Sequence, residues 1–221
     1  MNTTVHTPWN TAGYYKNWQG LIEINKKLYK KDTILFQEGD LPEGIFLLID
    51  GIVKISRSDK EGNERIIKIA TSGDLLGTVT FNKGKQNSTT GTVFDDSIIC
   101  FISISDLSEL MKKNPGFSRQ LVVKLCEQLN NAENRIISIS DKTVEERLAE
   151  TLLVLSASLH SRKKTIKISR KSLAEIIGFR TETVIRALSK FKKREIITVH
   201  GCAIEFLDFK RLESICLKRA Y

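Results

Sequence analysis

Glu182 and Arg186 lie four residues apart in the stretch TETVIRALSKF, the spacing that puts two side chains on one face of a helix. On such a face a carboxylate can accept a hydrogen bond from the amino group of cytosine, while a guanidinium donates two to O6 and N7 of guanine. The chemistry on offer is recognition of a G·C pair in a DNA major groove. Arg180 and Thr181 extend the same polar edge, so Arg180, Thr181, Glu182 and Arg186 form the candidate base-reading set. Glu182 and Arg186 could equally be a surface ion pair, an interaction worth only tenths of a kcal/mol.

A base reader needs a rigid carrier, and the flanking residues supply one. Leu173, Ile176, Ile177 and then Val184, Ala187, Leu188, Phe191 recur at helical spacing on either side of Gly178, which predicts two short helices joined by a tight turn. A strand over residues 165–168 precedes the pair. A hairpin over residues 196–207, turning at His200-Gly201, follows it, and a last short helix over residues 208–220 closes the chain. Helix pair plus hairpin is a winged helix-turn-helix. Ahead of it, TVEERLAETLLVLSASL reads as an amphipathic helix opened by a capping box between Thr143 and Glu146.

Charge concentrates in the same region. Residues 141–221 hold 18 Lys and Arg against 10 Asp and Glu, whereas residues 1–140 hold 17 against 16, so eight of the nine net positive charges belong to the C-terminal part. A basic segment around a helix pair is what a binder of the phosphate backbone requires, although a solvated lysine-rich surface would give the same count.

Residues 21–105 change rhythm to short apolar or alternating runs separated by Gly and Asp turns, among them GIFLLIDGIVKIS and GTVFDDSIICFIS. Their spacing predicts a compact antiparallel sandwich or barrel, with a hairpin turn at residues 59–63; the fold class expected for the whole chain makes it an antiparallel β-barrel of jelly-roll type. Residues 106–113 read as a short helix stopped at Asn114-Pro115, after which a long helix begins. Its residues Val122, Leu125, Leu129, Ala132, Ile136 and Ile139 are spaced 3, 4, 3, 4, 3. That is a heptad seam, read as a parallel dimer contact; the alternative is a helix packed wholly within one subunit. The overall expectation is an α+β chain: an N-terminal segment (1–20) with aromatics Trp9, Tyr14, Tyr15 and Trp18 capping the next domain, an effector barrel (21–114), a dimerisation helix (115–140) and a winged helix-turn-helix domain (141–221).

Composition removes several function classes. Cys100, Cys126, Cys202 and Cys216 form no CxxC pair and have no His at ligand spacing, so neither a zinc site nor a disulfide framework is indicated. The barrel region contains no His, whereas a catalytic cupin with a facial-triad metal needs two. No secretory leader and no apolar run of membrane-spanning length is read, which points to a cytoplasmic protein with no membrane partner.

Barrel, long helix and winged helix-turn-helix in this order resemble the Crp/Fnr family of bacterial transcription regulators over residues 21–215. The pieces that carry the resemblance are ILFQEGD (34–40), FLLIDGIVK (46–54), GDLLG (73–77), EERLA (145–149), SLAEIIG (172–178) and ETVIR (182–186). The resemblance implies a homodimer bound to two-fold-related half-sites on double-stranded DNA, with Glu182 and Arg186 at positions that read bases. Where the family often carries Arg as a further reader, this chain has Thr181, preceded by Arg180. Phosphate contacts are expected from Arg170, Lys171, Ser172, Thr183, Lys190, Lys192 and Lys193. The basic loop at residues 160–164 occupies the place where family activators touch RNA polymerase.

Cyclic-nucleotide-binding members hold the ribose with a Gly-Glu pair and the cyclic phosphate with an Arg-Ser pair. Here the corresponding effector pocket is Gly77-Thr78 and Asn87-Ser88-Thr89, so the carboxylate and the guanidinium are both replaced. A buried phosphate without its guanidinium loses its strongest charge-assisted partner, which argues against cAMP and leaves the small-molecule effector unnamed. Iron–sulfur sensing needs N-terminal cysteines, and the first 99 residues have none. Haem sensing lacks axial ligands. No cofactor, metal or catalytic residue is therefore expected. A sensing or protein-interaction module that binds no DNA is the competing reading, disfavoured by the concentrated positive charge.

Overall fold

The structure is a computed structural model that describes residues 25–81, 84–157 and 165–216, with the side chains of 79, 80, 137–140 and 157 outside that description. The chain divides into two compact units between Ala132 and Glu133.

In the first unit, strands β1 (Lys26–Tyr29), β2 (Ile34–Phe36), β3 (Gly44–Ser58), β4 (Glu64–Thr71), β5 (Leu75–Leu76) and β6 (Thr90–Ser103) form one antiparallel sheet. Its order is β1-β6-β3-β4, with β2 added to β6 and β5 to β3. Two long strands dominate, paired from Gly44 opposite Ser103 to Ser56 opposite Thr90. Among the described residues no hydrogen-bonded ring closes, so the expected barrel is an open antiparallel β-roll. Length explains the difference: GIFLLIDGIVKIS, which reads as one or two short strands, is a single strand that bends and serves both layers.

The bend has an identifiable cause. Register breaks at Leu48/Asp50, Asp50/Ile52 and Ile52/Val53, around Gly51 at φ 108°. Buried Ser97 fills the break: its Oγ accepts from Ile52 N at 3.1 Å and donates to Asp95 O at 2.6 Å. A Cβ on Gly51 would lie 2.2 Å from that oxygen, so only glycine fits.

β3 begins with a continuous apolar run because both its faces are covered. Ile45 and Leu47 pack with Leu75, Ile102, Leu107, Phe117 and Leu121, while Phe46 and Leu48 turn into the roll against Val53, Ala70, Val93 and Ile99. The first of these cores recruits two helices, α1 (Ile104–Lys113) and α2 (Pro115–Asp141). α1 starts two residues before the expected point because Ser103, the last residue of β6, caps it by accepting from Asp106 N. Asn114 Oδ1 accepts from Phe117 N at 3.0 Å and opens α2, with Pro115 in its first turn. The expected hairpin at residues 59–63 forms: the Asp59 carboxylate accepts from Glu61 N and Asn63 N, and the backbone bond from Asn63 is the main reason its carboxyl sits below the usual range.

In the second unit α3 (Val144–Ala157) opens with the expected capping box, Thr143 N to Glu146 Oε2 at 2.7 Å and Glu146 N to Thr143 Oγ1 at 3.3 Å. Helices α4 (Arg170–Ile177) and α5 (Thr181–Lys193) pack on α3 through Leu148, Leu152, Leu173, Ile177, Val184, Leu188 and Phe191, all at or below 3% exposure. A three-stranded sheet, ordered β7 (Thr165–Lys167), β9 (Ala203–Phe206), β8 (Ile197–His200), and helix α6 (Phe209–Cys216) complete the winged helix. The rest of the expected last helix lies outside the described residues.

The corner between α4 and α5 is held from outside. Gly178 takes the left-handed conformation, φ 72° and ψ 36°, and ends α4. Arg147 Nη1 donates to Ile177 O at 2.6 Å while its guanidinium stacks 4.4 Å above the Phe179 ring. Arg135 Nη2 reaches Ile176 O at 3.3 Å. Two cations thus satisfy consecutive carbonyls at the negative end of a short helix. Arg147→Ala is expected to cost the C-terminal unit about 2 kcal/mol in urea unfolding. Arg147→Lys should recover less than half of this, since an ammonium cannot stack and donate in the same geometry.

Candidate nucleic-acid interface

α5 has two unlike faces. Val184, Ala187, Leu188 and Phe191 are buried at 0–3% exposure, and the opposite side presents Glu182, Arg186, Ser189 and Lys193 to solvent. Glu182 and Arg186 are therefore brought together on one exposed face. Among the described residues no ion pair joins them, so carboxylate and guanidinium are both available to an external donor or acceptor. Arg180 is exposed at the helix N-cap without a side-chain capping bond, whereas Thr181 is half-buried.

The expected phosphate-contacting residues split into two groups. Lys171, Lys192 and Lys193 are exposed, and none of them makes an ion pair among the described residues. Ser172 sits in the first turn of α4, its N–H on Ser169 Oγ at 2.9 Å and its hydroxyl 2.8 Å from the same oxygen. Thr183 is half-buried. Arg170 and Lys190, by contrast, are engaged within the protein. Arg170 Nη2 donates to Gly201 O at 2.6 Å and ties α4 to the wing turn. Lys190 Nζ lies 2.8 Å from Glu145 Oε1, and Arg194 Nη1 takes the other oxygen at 3.1 Å. The hydrogen bond from Lys190 is the main influence holding the Glu145 carboxyl below its ordinary range.

Glu145, Arg147 and Arg135 are not legible from sequence as part of this site. Glu145 and Lys190 are 45 residues apart, and no local spacing links them. Only the EER tripeptide preceding an apolar run hints at charge near the start of α3.

On α2, Val122, Leu129 and Ile136 are 57%, 61% and 69% exposed at seven-residue intervals. Ala132 is exposed, Leu125 leans on the core of the first unit, and the Ile139 side chain lies outside the described residues. In the expected effector region Gly77 has φ 72°, Thr78 is half-buried in a 3-10 turn, Asn87 is buried, Ser88 is exposed and Thr89 is half-buried. The Asn87 backbone is fixed to the turn after β2, its N–H on Asp40 O at 2.9 Å and its carbonyl accepting from Gly39 N at 2.8 Å. Burial pushes the Cys100 thiol up to about 11, which removes thiolate reactivity there; Cys126 is exposed. Among the described residues no His/Cys/Asp/Glu group could hold a metal ion, and no helix is long and apolar enough to cross a membrane. The basic loop at 160–164 and the aromatic segment at 1–20 lie outside the described residues.

Two family models match: a cyclic nucleotide-binding domain over residues 26–114 and a Crp-like helix-turn-helix domain over residues 146–215. Among characterised proteins, the chain is 28% identical over 192 residues to the fumarate and nitrate reduction regulatory protein of Vibrio cholerae, covering 85% of this chain and 76% of that one. It is 28% identical over 181 residues to the cAMP-activated global transcriptional regulator CRP of Pasteurella multocida, covering 80% and 87%. The fold is shared with FixK2 from Bradyrhizobium japonicum (TM-score 0.71, 23% identity, 86% and 96% covered). It is shared as well with a CRP/FNR-family transcriptional regulator from Thermus thermophilus (TM-score 0.73, 20% identity, 88% and 100% covered). With a nucleotide-binding-type roll followed by a Crp-like helix-turn-helix, the chain belongs to the Crp/Fnr family of DNA-binding transcription regulators, which are not enzymes.

Proposed function

We propose that the protein works in the cytoplasm as a homodimer that binds two half-sites about one helical turn, roughly 10 bp, apart. The single observation that carries this reading is the polar face of α5, where Glu182 and Arg186 stand exposed, with no ion pair between them, opposite a fully packed side. Arg186 offers a bidentate fork to guanine and Glu182 an acceptor to cytosine, while Lys171, Lys192 and Lys193 hold register on phosphates. Arg170, Ser172 and Lys190 support the interface from within, through the wing turn, the α4 cap and the Glu145 clamp, and Thr183, half-buried in the first turn of α5, is a further phosphate contact.

Dimerisation runs along α2. Val122, Leu129 and Ile136 form an apolar line that stands exposed on the helix, and parallel pairing with a second copy buries it. Residues 115–140 then act as the dimer helix between an effector domain at 21–114 and a DNA-binding domain at 141–221, with residues 1–20 as an N-terminal extension. RNA polymerase, which regulators of this family contact, is the third partner.

The effector differs from cAMP, although relatives are named for that nucleotide. Gly77, Thr78, Asn87, Ser88 and Thr89 offer hydroxyl and amide groups, with neither a guanidinium for a cyclic phosphate nor a carboxylate for a ribose. Such a set suits a neutral or hydrogen-bonding small molecule. No iron–sulfur cluster, haem or metal enters the reading.

Leu129→Glu should convert the dimer to monomer in sedimentation velocity and abolish binding to two-half-site duplexes. Glu182→Ala and Arg186→Ala should each remove about 1–3 kcal/mol of discrimination at one base pair in binding-site selection from random duplexes. Lys193→Ala should instead weaken all sequences equally and lower the salt slope by about one. The same selection repeated with metabolite extract should change site occupancy, whereas cAMP alone should leave it unaltered.

A further inference from the structure

One residue on the exposed side of α5 does not fit a phosphate-and-polar-edge account. Ile185 is 45% exposed, beside Glu182, Arg186 and Ser189, on a face whose other members are polar or charged. Scattered apolar residues occur on every surface, but this position is unfavourable for isoleucine on two grounds. A β-branched side chain loses rotamer freedom in a helix, and here, with 45% of its surface left in water, it recovers only part of that by burial. Measured from the packed face centred on Val184 and Phe191, Ile185 falls on the flank of the outward side next to Glu182, about 60° around the helix from it. A helix set in the groove so that Glu182 and Arg186, one turn apart on the same face, converge on one base pair therefore turns Ile185, to the side of that line, towards an adjacent pair.

On the Ile185 flank no free polar side chain competes. Ser189 is the next residue along the same flank, and its hydroxyl donates to Ile185 O at 2.9 Å, so its proton is committed to the helix itself. Lys190, on the far flank, is paired with Glu145. Beside the Glu182 and Arg186 line, this flank presents a branched hydrocarbon. The major groove displays one apolar feature that such a group can recognise, the 5-methyl of thymine.

We propose that Ile185 is a specificity-determining residue that packs on the 5-methyl group of a thymine in the base pair next to the one read by Glu182 and Arg186. This rests on the DNA-reading assignment of α5 and adds a preference that those two residues cannot supply. The contact distinguishes thymine from cytosine by burial rather than by hydrogen bonding, so it excludes water from the neighbouring polar contacts as well.

Deoxyuridine isolates the contact, because it pairs as thymine does and lacks only the methyl. A duplex selected by the full-length wild-type protein is synthesised with each thymine replaced in turn, and binding is titrated by anisotropy. One position per half-site, adjacent to the selected G·C pair, should weaken wild-type binding about fourfold, the worth of one buried methyl. Ile185→Ala should bind the thymine and deoxyuridine duplexes equally, and Ile185→Val should keep the difference. Wild type indifferent to every replacement, a selected site with no thymine beside the G·C pair, or Ile185→Ala still sensitive would each overturn the proposal while Glu182→Ala continues to relax selection. If Glu182→Ala and Arg186→Ala both leave the selected motif unchanged, the underlying assignment fails and the Ile185 proposal fails with it.

Discussion

The angle between α4 and α5 depends on how the end of an eight-residue helix is satisfied. α4 exposes its last carbonyls at a turn where Gly178 reverses the chain, and a helix this short has little stability of its own. Arg147 and Arg135 answer both needs, donating to Ile177 O and Ile176 O, and Arg147 also covers Phe179 in the turn. A Cβ at Gly178 would already stand 3.3 Å from Arg147 Nη1, so the cap and the glycine are fitted to each other. With the corner fixed, Val184, Leu188 and Phe191 can lock α5 against α3, and the opposite face is aimed without any contact of its own.

The first unit solves a different constraint, two covered faces on one strand. β3 packs helices on one side and the roll interior on the other, which forces its first half to be apolar throughout and its middle to bend. Gly51 and Ser97 make that bend by exchanging a side chain for a hydroxyl: the glycine vacates the space and the serine oxygen takes the orphaned Ile52 N–H. Helix α2 is fastened to the same region, Phe117 and Leu121 in the core and Gln128 Nε2 on Leu75 O at 3.0 Å. The residues that α2 leaves outside, Val122 and Leu129, are thereby selected by geometry rather than by hydropathy, since Leu121 and Leu125 are no less apolar.

Local signals are the legible ones. The Asp59 turn, the Thr143–Glu146 capping box, the helix pair around Gly178 and the wing turn at Gly201 all depend on residues within a few positions of each other, and sequence spacing predicts them. Barrel closure is overestimated from sequence because short strands and one long bent strand give the same alternating pattern; only pairing register distinguishes them. The start of α1 falls two residues early because Ser103 belongs to a strand and a cap at once. The Glu145 clamp and the two arginine caps join residues tens of positions apart, where no periodicity exists to be read.

That last group changes the meaning of the charge. Residues 141–221 hold 18 Lys and Arg, and a uniform count would make every one of them a phosphate contact. Lys190 and Arg194 instead share the Glu145 carboxylate, and Arg170 and Arg147 are spent on carbonyls at the wing turn and at the end of α4. A cation already paired gains less from a phosphate, because binding must first weaken the internal bond. Fewer cations are thus free for phosphate contacts than the number of Lys and Arg suggests, while the residues that could read bases, Glu182 and Arg186, are left out of these internal pairs. Specificity is the ratio of specific to nonspecific affinity. By committing Lys190, Arg194, Arg170 and Arg147 to internal bonds while Glu182 and Arg186 stay outside them, the fold leaves fewer cations for sequence-independent contacts than its composition offers.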